Sequence, residues 1–320
     1  MTEQICCVCH RPVGPDAARL GGRYYCEKHY AKVTHNRRSV WASGVVQIVG
    51  VLAFVGVVAG LVSITSLTLD GTALVLAGIV LTLIPALLWL GFFYLQDRLE
   101  PEPKAYVLGI FLLGGLLASA VGIPMIRDLF RTQDWMSQSV ITNILGSILV
   151  IGFVQEFLKY AAVRYTIYLS PEFDERIDGV IYGTAAGLGF ATMLNIHYVI
   201  TNAGVNLGMG VIRIAVTAMA QASFAGISGY FLGRAKFEEE PIWWLPLGVA
   251  IPAVLNGVFT YVRGEIVTAG LTYRPVNGLV LAAVVALATF AALYYLMRRA
   301  NRLTLAAEST GWKQAKEGQA

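Results

Sequence analysis

The sequence predicts an all-α polytopic membrane protein with a small zinc-stabilised N-terminal module, and three observations carry that expectation. Of 320 residues, 56% are hydrophobic and only 14% charged, with a mean hydropathy of +0.63, outside the usual range of soluble domains. The apolar residues recur in runs of about 20, the length a helix needs to cross ~30 Å of hydrocarbon. All four cysteines, Cys6, Cys7, Cys9 and Cys26, fall in the first 26 residues, so no disulfide framework holds the rest of the chain. The net charge of +4 is small and gives no expectation of a nucleic-acid partner.

The first element is the polar head. A two-residue gap separates Cys6 from Cys9, the same gap separates Cys26 from His29, and sixteen residues lie between the pairs. That is the ligand spacing of a structural zinc site. Cys6, Cys9, Cys26 and His29 are therefore the expected Cys3His ligands, with Cys7 or His10 open as a substitute for one of them. Gly21-Gly22 suits the tight turn that returns the second pair. The ending "GGRYYCEKHY" resembles one zinc-binding half of a LIM domain, which implies a module over 1–34 that docks a cytoplasmic protein. Four protein ligands leave no open position, so the zinc is expected to be structural.

The membrane domain follows over 41–299, with eight expected spans at 41–66, 72–95, 105–124, 139–165, 177–202, 208–233, 241–262 and 274–298. Unbroken apolar runs exclude a β-barrel, whose strands would alternate over about 10 residues. With the N-terminus in the cytoplasm, the head, three loops and the C-terminal stretch from Arg298 through the 300–320 tail hold 18 of the 24 basic residues, and the opposite loops hold four. The positive-inside rule then places both termini in the cytoplasm, a reducing compartment that favours zinc over disulfides. The tail is expected to be polar and without helical periodicity.

Ionisable groups at membrane depth are costly and mark function by default. The fourth span carries Gln155, Glu156 and Lys159 near one helix face. The fifth holds Asp178, Tyr182, Asn195 and His197, the sixth Arg213 and Gln221, and the seventh Asn256. At ~1.5 Å per residue from the cytoplasmic ends, Glu156 lies ~14 Å deep, Gln221 ~18 Å, Asn256 ~22 Å and Asn195 ~27 Å. These four are expected around one mid-membrane pocket, with separate interhelical hydrogen bonds as the alternative. His197, about 200° around the helix from Asn195, is expected to face away from it as an interfacial histidine. Gly179, Gly183, Gly187 and Gly189 are expected to let helices pack closely. Glu238-Glu239-Glu240 with Trp243-Trp244 marks a membrane boundary.

At "QDRLEPEPKAYVLGIFLLGGLL", "QEFLKYAAV", "EFDERIDGVIYGTAAGLGFATMLN" and "GISGYFLGRAKF" the chain resembles the PrsW family of prokaryotic intramembrane proteases, related in fold to the CAAX prenyl-proteases. The resemblance runs from about Leu95 to Asn256 and excludes the head. It implies a helical bundle in a prokaryotic plasma membrane that acts on transmembrane proteins. It also implies a buried polar site built from an EExxK motif, a GFAxxEN motif and histidines of the sixth and seventh spans.

The chain departs from that pattern. Gln155 stands at the first glutamate of EExxK, Leu194 at the glutamate before Asn195, Gln221 at the sixth-span histidine position and, by a looser correspondence, Pro252 at the seventh. Glu156, Lys159, Asn195 and Asn256 remain as candidate catalytic residues. One carboxylate with amides makes a poor site for a divalent metal, so no intramembrane metal is expected. Two readings follow. One is a pseudoprotease that binds transmembrane segments as a regulator or scaffold. The other is an active intramembrane protease that cleaves a membrane protein such as an anti-sigma factor. A transporter would be expected to show an inverted repeat, and none is evident.

Overall fold

In the computed structural model, residues 4–6, 9, 11–15, 17–20, 23–35, 49–50, 53–58, 60, 71–96, 102–203, 209–268 and 275–317 are described. The head pairs β1 (Ala18–Leu20) with antiparallel β2 (Arg23–Tyr25), in register Ala18 to Tyr25, and α1 (Glu27–His35) follows. The expected first span, 41–66, lies largely outside the described residues, as do Cys7 and His10. The described part at 53–58 is helical.

Among the described residues seven helices are long and apolar enough to cross a membrane. They are α2 (Gly71–Gln96), α3 (Lys104–Leu117), the paired α4 (Val140–Gly146) and α5 (Phe153–Arg164), α6 (Asp178–Thr201), α7 (Met209–Phe237), α8 (Trp244–Thr268) and α9 (Pro275–Glu317). They match the expected spans, with two differences. The third helix runs on past residue 124 through π-helical turns at Ala118–Gly122 and Met125–Leu129. Helix α9 continues to Glu317, where a tail without periodicity was expected. The stretch after Arg299 is rich in Ala, Leu, Glu and Lys and has no proline, so intrinsic propensity carries the helix onward.

Helices α6 and α7 form the core: 83% of each span's most apolar stretch is buried, against 28–39% in the others. Small residues permit this. A Cβ on Gly229 would sit 1.9 Å from the Gly179 carbonyl oxygen, and one on Gly189 1.8 Å from that of Phe111 in α3. Backbones at such distances exchange dispersion contacts that bulkier residues would block. The opposite flank is aromatic, with Trp89 of α2 5.1 Å from the Phe290 ring of α9.

A further π-helical segment, Ser147–Gly152, joins α4 to α5. A π turn shifts the phase of the helix beyond it, here the helix carrying Gln155, Glu156 and Lys159. Gly152 lets α8 close on this segment, since a Cβ there would meet the Ala253 carbonyl oxygen at 2.1 Å. At the other end of the bundle Arg176 Nε donates to Glu238 Oε1 at 2.9 Å, and Arg234 pairs with Glu238 and Glu240. Burial pushes the Glu238 carboxyl up, but bonds from Arg234 and Arg176 outweigh it and hold Glu238 below its ordinary range. Trp244 Nε1 donates to the Phe231 carbonyl at 3.1 Å while Trp243 is exposed, as a boundary tryptophan should be.

Candidate functional site

The polar residues of α5, α7 and α8 close into one network. Glu156 is fully buried, and its Oε1 accepts from Lys159 Nζ, one turn on, and from Asn256 Nδ2 at 2.7 Å. Lys159 Nζ also donates to Gln221 Oε1 at 2.6 Å. Gln221 Nε2 donates to Gln155 Oε1 and Asn256 Oδ1, each at 3.2 Å, and Asn256 Nδ2 reaches Gln155 Oε1 at 3.0 Å. Thr260, one turn along α8, donates to Asn256 Oδ1 at 3.4 Å. The Phe190 and Phe224 rings stand 5.6 and 6.0 Å from Lys159 Nζ, so the ammonium has a carboxylate, an amide oxygen and two π faces around it. Glu156 Oε2 has no hydrogen-bond partner among the described residues.

A cavity of about 340 Å³ lies against this network, lined by Gln155, Gln221 and Thr260 at one end and by Arg127, Asn202, Arg213 and Arg263 at the other. Leu194, Asn195, His197 and Tyr198 form the α6 wall. Gln155 and Gln221 bound the cavity, whereas Glu156 and Lys159 are not among its lining residues.

Three of the four depth-matched residues, Glu156, Gln221 and Asn256, meet as expected. Asn195 reaches the same cavity but donates to the Ile214 carbonyl at 3.2 Å and not to Glu156. Its ~13 Å greater depth along the helix places it about two turns away. His197 corrects the reading of a face turned away from Asn195: both line the cavity, which is wide enough here to touch two faces of α6. Pro252 is buried one turn before Asn256 in α8.

The arginine end of the cavity was not anticipated. Its signal was periodic: Arg213, Thr217 and Gln221 are four apart along α7, and Asn256, Thr260 and Arg263 four and three apart along α8, so each set shares a helix face. Arg263 Nη1 donates to Thr217 Oγ1 at 3.2 Å, tying the two stripes together.

In the head, Cys6 Sγ lies 3.5 Å and Cys26 Sγ 3.2 Å from His29 Nδ1, and Cys9 Sγ lies 3.9 Å from Cys26 Sγ. All four ligand atoms fall within 4.8 Å of one another, so the cluster can hold a metal ion. The β1–β2 pairing and the first turn of α1, where His29 N bonds the Cys26 carbonyl at 2.9 Å, bring the two pairs together. A backbone bond at Arg11 favours the Cys9 thiolate, but burial and the Cys6 and Cys26 thiols outweigh it and push Cys9 above its ordinary range. A bound cation would reverse that balance.

The family described as PrsW family intramembrane metalloprotease matches residues 102–293. Protease PrsW of Bacillus subtilis (strain 168) is 31% identical over 192 residues, 59% of this chain and 82% of that protein. Protease PrsW of Halalkalibacterium halodurans is 33% identical over 176 residues, covering 55% and 78%. That of Oceanobacillus iheyensis is 28% identical over 225 residues, covering 69% and 94%. No solved structure matches the chain. The match takes in every helix of the polar network and leaves out the cysteine head, and on this footing the chain belongs to the PrsW family of membrane proteins.

Proposed function

We propose that this chain is a pseudoprotease of the PrsW family, a membrane-embedded regulator that holds a transmembrane segment of another protein without hydrolysing it. The observation that carries the reading is the closure of Glu156. Its Oε1 is taken by Lys159 and Asn256, and Gln155 and Gln221 stand between it and the cavity. A general base must reach its water and be free to take a proton. Here Oε1 is already committed to two donors, and the side chain does not line the cavity from which a substrate and its water would come.

The metal that the family description implies does not fit these residues. Gln221 Oε1 and Glu156 Oε1 are bridged by the Lys159 ammonium, which stands where a cation between those oxygens would sit. Apart from Glu156 Oε2, the remaining donors of the network are neutral amide oxygens, while a catalytic metal calls for imidazole or further carboxylates. Glu156, Lys159 and Asn256 are accordingly assigned to the polar network behind the cavity wall, and Asn195 to the cavity itself. The competing reading, an active intramembrane protease, draws on Glu156 Oε2, a buried carboxylate oxygen with no hydrogen-bond partner among the described residues.

Cleavage of a co-reconstituted membrane protein separates the two. The proposal predicts binding with no turnover by wild type; robust turnover abolished in Glu156→Ala would overturn it. We assign the head a structural zinc, because the ligand separations match tetrahedral Zn–S and Zn–N bonds of about 2.3 and 2.0 Å. The head then serves as a docking module for a cytoplasmic protein, with both termini on the cytoplasmic side of a prokaryotic plasma membrane. Metal analysis should find one zinc per chain, lost in Cys26→Ala; retention in that variant would contradict the Cys3His assignment.

A further inference from the structure

Helices α7 and α8 bring Arg213 and Arg263 to one end of the cavity, on the side of Asn202, which closes the C-terminal end of α6. Neither guanidinium has an ion-pair partner among the described residues. Arg213 stands over the Tyr198 ring, its Cζ 3.5 Å from the centroid, and Arg263 gives one N–H to Thr217. A guanidinium carries five N–H donors in a fixed fork, so these contacts leave donors on both arginines for an oxyanion, which the fork grips with two parallel bonds. Two like charges gathered at a membrane-span end with no counter-ion repel each other, and an anion placed between them relieves that cost.

We propose that Arg213 and Arg263 form a carboxylate-recognition site, selecting membrane segments that carry Asp or Glu at the end of the span nearest Asn202. This rests on the reading that the cavity receives such a segment, and it holds whether or not Glu156 is catalytic. A lipid phosphate has the same charge, but the cavity favours a polypeptide. Behind the arginines the amides of Asn195, Gln155 and Gln221 sit among Ile123, Ile126, Ile151 and Leu194, a mixed lining that a helix with both backbone and apolar side chains can meet. Those amides suit a peptide backbone and would be poor company for an acyl chain.

The test uses the full chain in zwitterionic lipid nanodiscs and labelled Leu/Ala helices of about 20 residues that differ only at one end residue, Asp, Asn or Lys. Wild type should bind the Asp helix roughly 10- to 100-fold more tightly than the Asn helix. The double variant Arg213→Gln/Arg263→Gln should lose that preference and keep its affinity for the Asn helix. The Arg213→Glu variant should turn the preference toward the Lys helix, a reversal that misfolding cannot produce. Equal binding of the Asp and Asn helices by wild type would overturn the carboxylate site and leave the cavity reading standing. Binding of no helix at all would defeat the cavity reading and this proposal with it. Stabilisation of wild type, and not of the double variant, by anionic lipid without any discrimination among the helices would assign the arginines to lipid phosphate and overturn the proposal.

Discussion

Lys159 and Glu156 are both completely buried and bond each other directly. Such a pair is weak evidence of net stabilisation, because desolvation cancels most of the Coulomb gain, but removing one partner strands a charge. Lys159→Met should therefore lower unfolding stability by about 3–5 kcal/mol, and adding Glu156→Gln should recover much of that loss. Thermal unfolding in detergent reads both, and additive losses would contradict a coupled pair. Glu102 offers a second residue-level test. It is 4% exposed, accepts from the Tyr182 hydroxyl at 2.6 Å, and is pushed from 4.5 up to about 7, by burial first and by Asp174 and Glu172 after it. Between those values the folded chain keeps a proton that the unfolded chain releases, so stability falls as pH rises through this window, by roughly 3 kcal/mol in all. Glu102→Gln should flatten the slope between pH 4.5 and 7; an unchanged slope would place the titration elsewhere.

Packing of the elements depends on glycine where carbonyls approach. Gly229→Ala forces α6 and α7 apart at the Gly179 carbonyl and should cost about 1–3 kcal/mol, while Gly91→Ala in α2 meets nothing within 4 Å and should be near neutral. Equal melting temperatures for the two variants would contradict the close α6–α7 contact. That contact was legible beforehand, since a glycine-rich apolar stretch has few uses but close packing. Span positions were legible for the same reason: hydrocarbon thickness fixes helix length. The π-helical turns at Ala118–Gly122 and Ser147–Gly152 were not, because they depend on how neighbouring helices seat against the chain, and no local residue preference marks them. The cavity's arginine end was half legible, as stripes along α7 and α8 whose convergence only tertiary packing decides. His197 was misplaced because angular position on one helix does not reveal how wide the neighbouring cavity is.

Across the whole molecule, two glycine-rich helices at the centre carry few groups of their own into the polar network, and the outer helices α5 and α8 lean Gln155, Glu156, Lys159 and Asn256 against Gln221 of α7. The network thereby ties three helices together at mid-bundle and seals the carboxylate behind amides. This arrangement suits a scaffold that captures a helix at an adjoining cavity. The most direct measurement is turnover of a co-reconstituted transmembrane substrate by the purified full chain, with wild type and Glu156→Ala compared side by side. The account predicts that both capture the segment and neither releases a cleaved product. Repeated product formation by wild type that disappears in Glu156→Ala would contradict it.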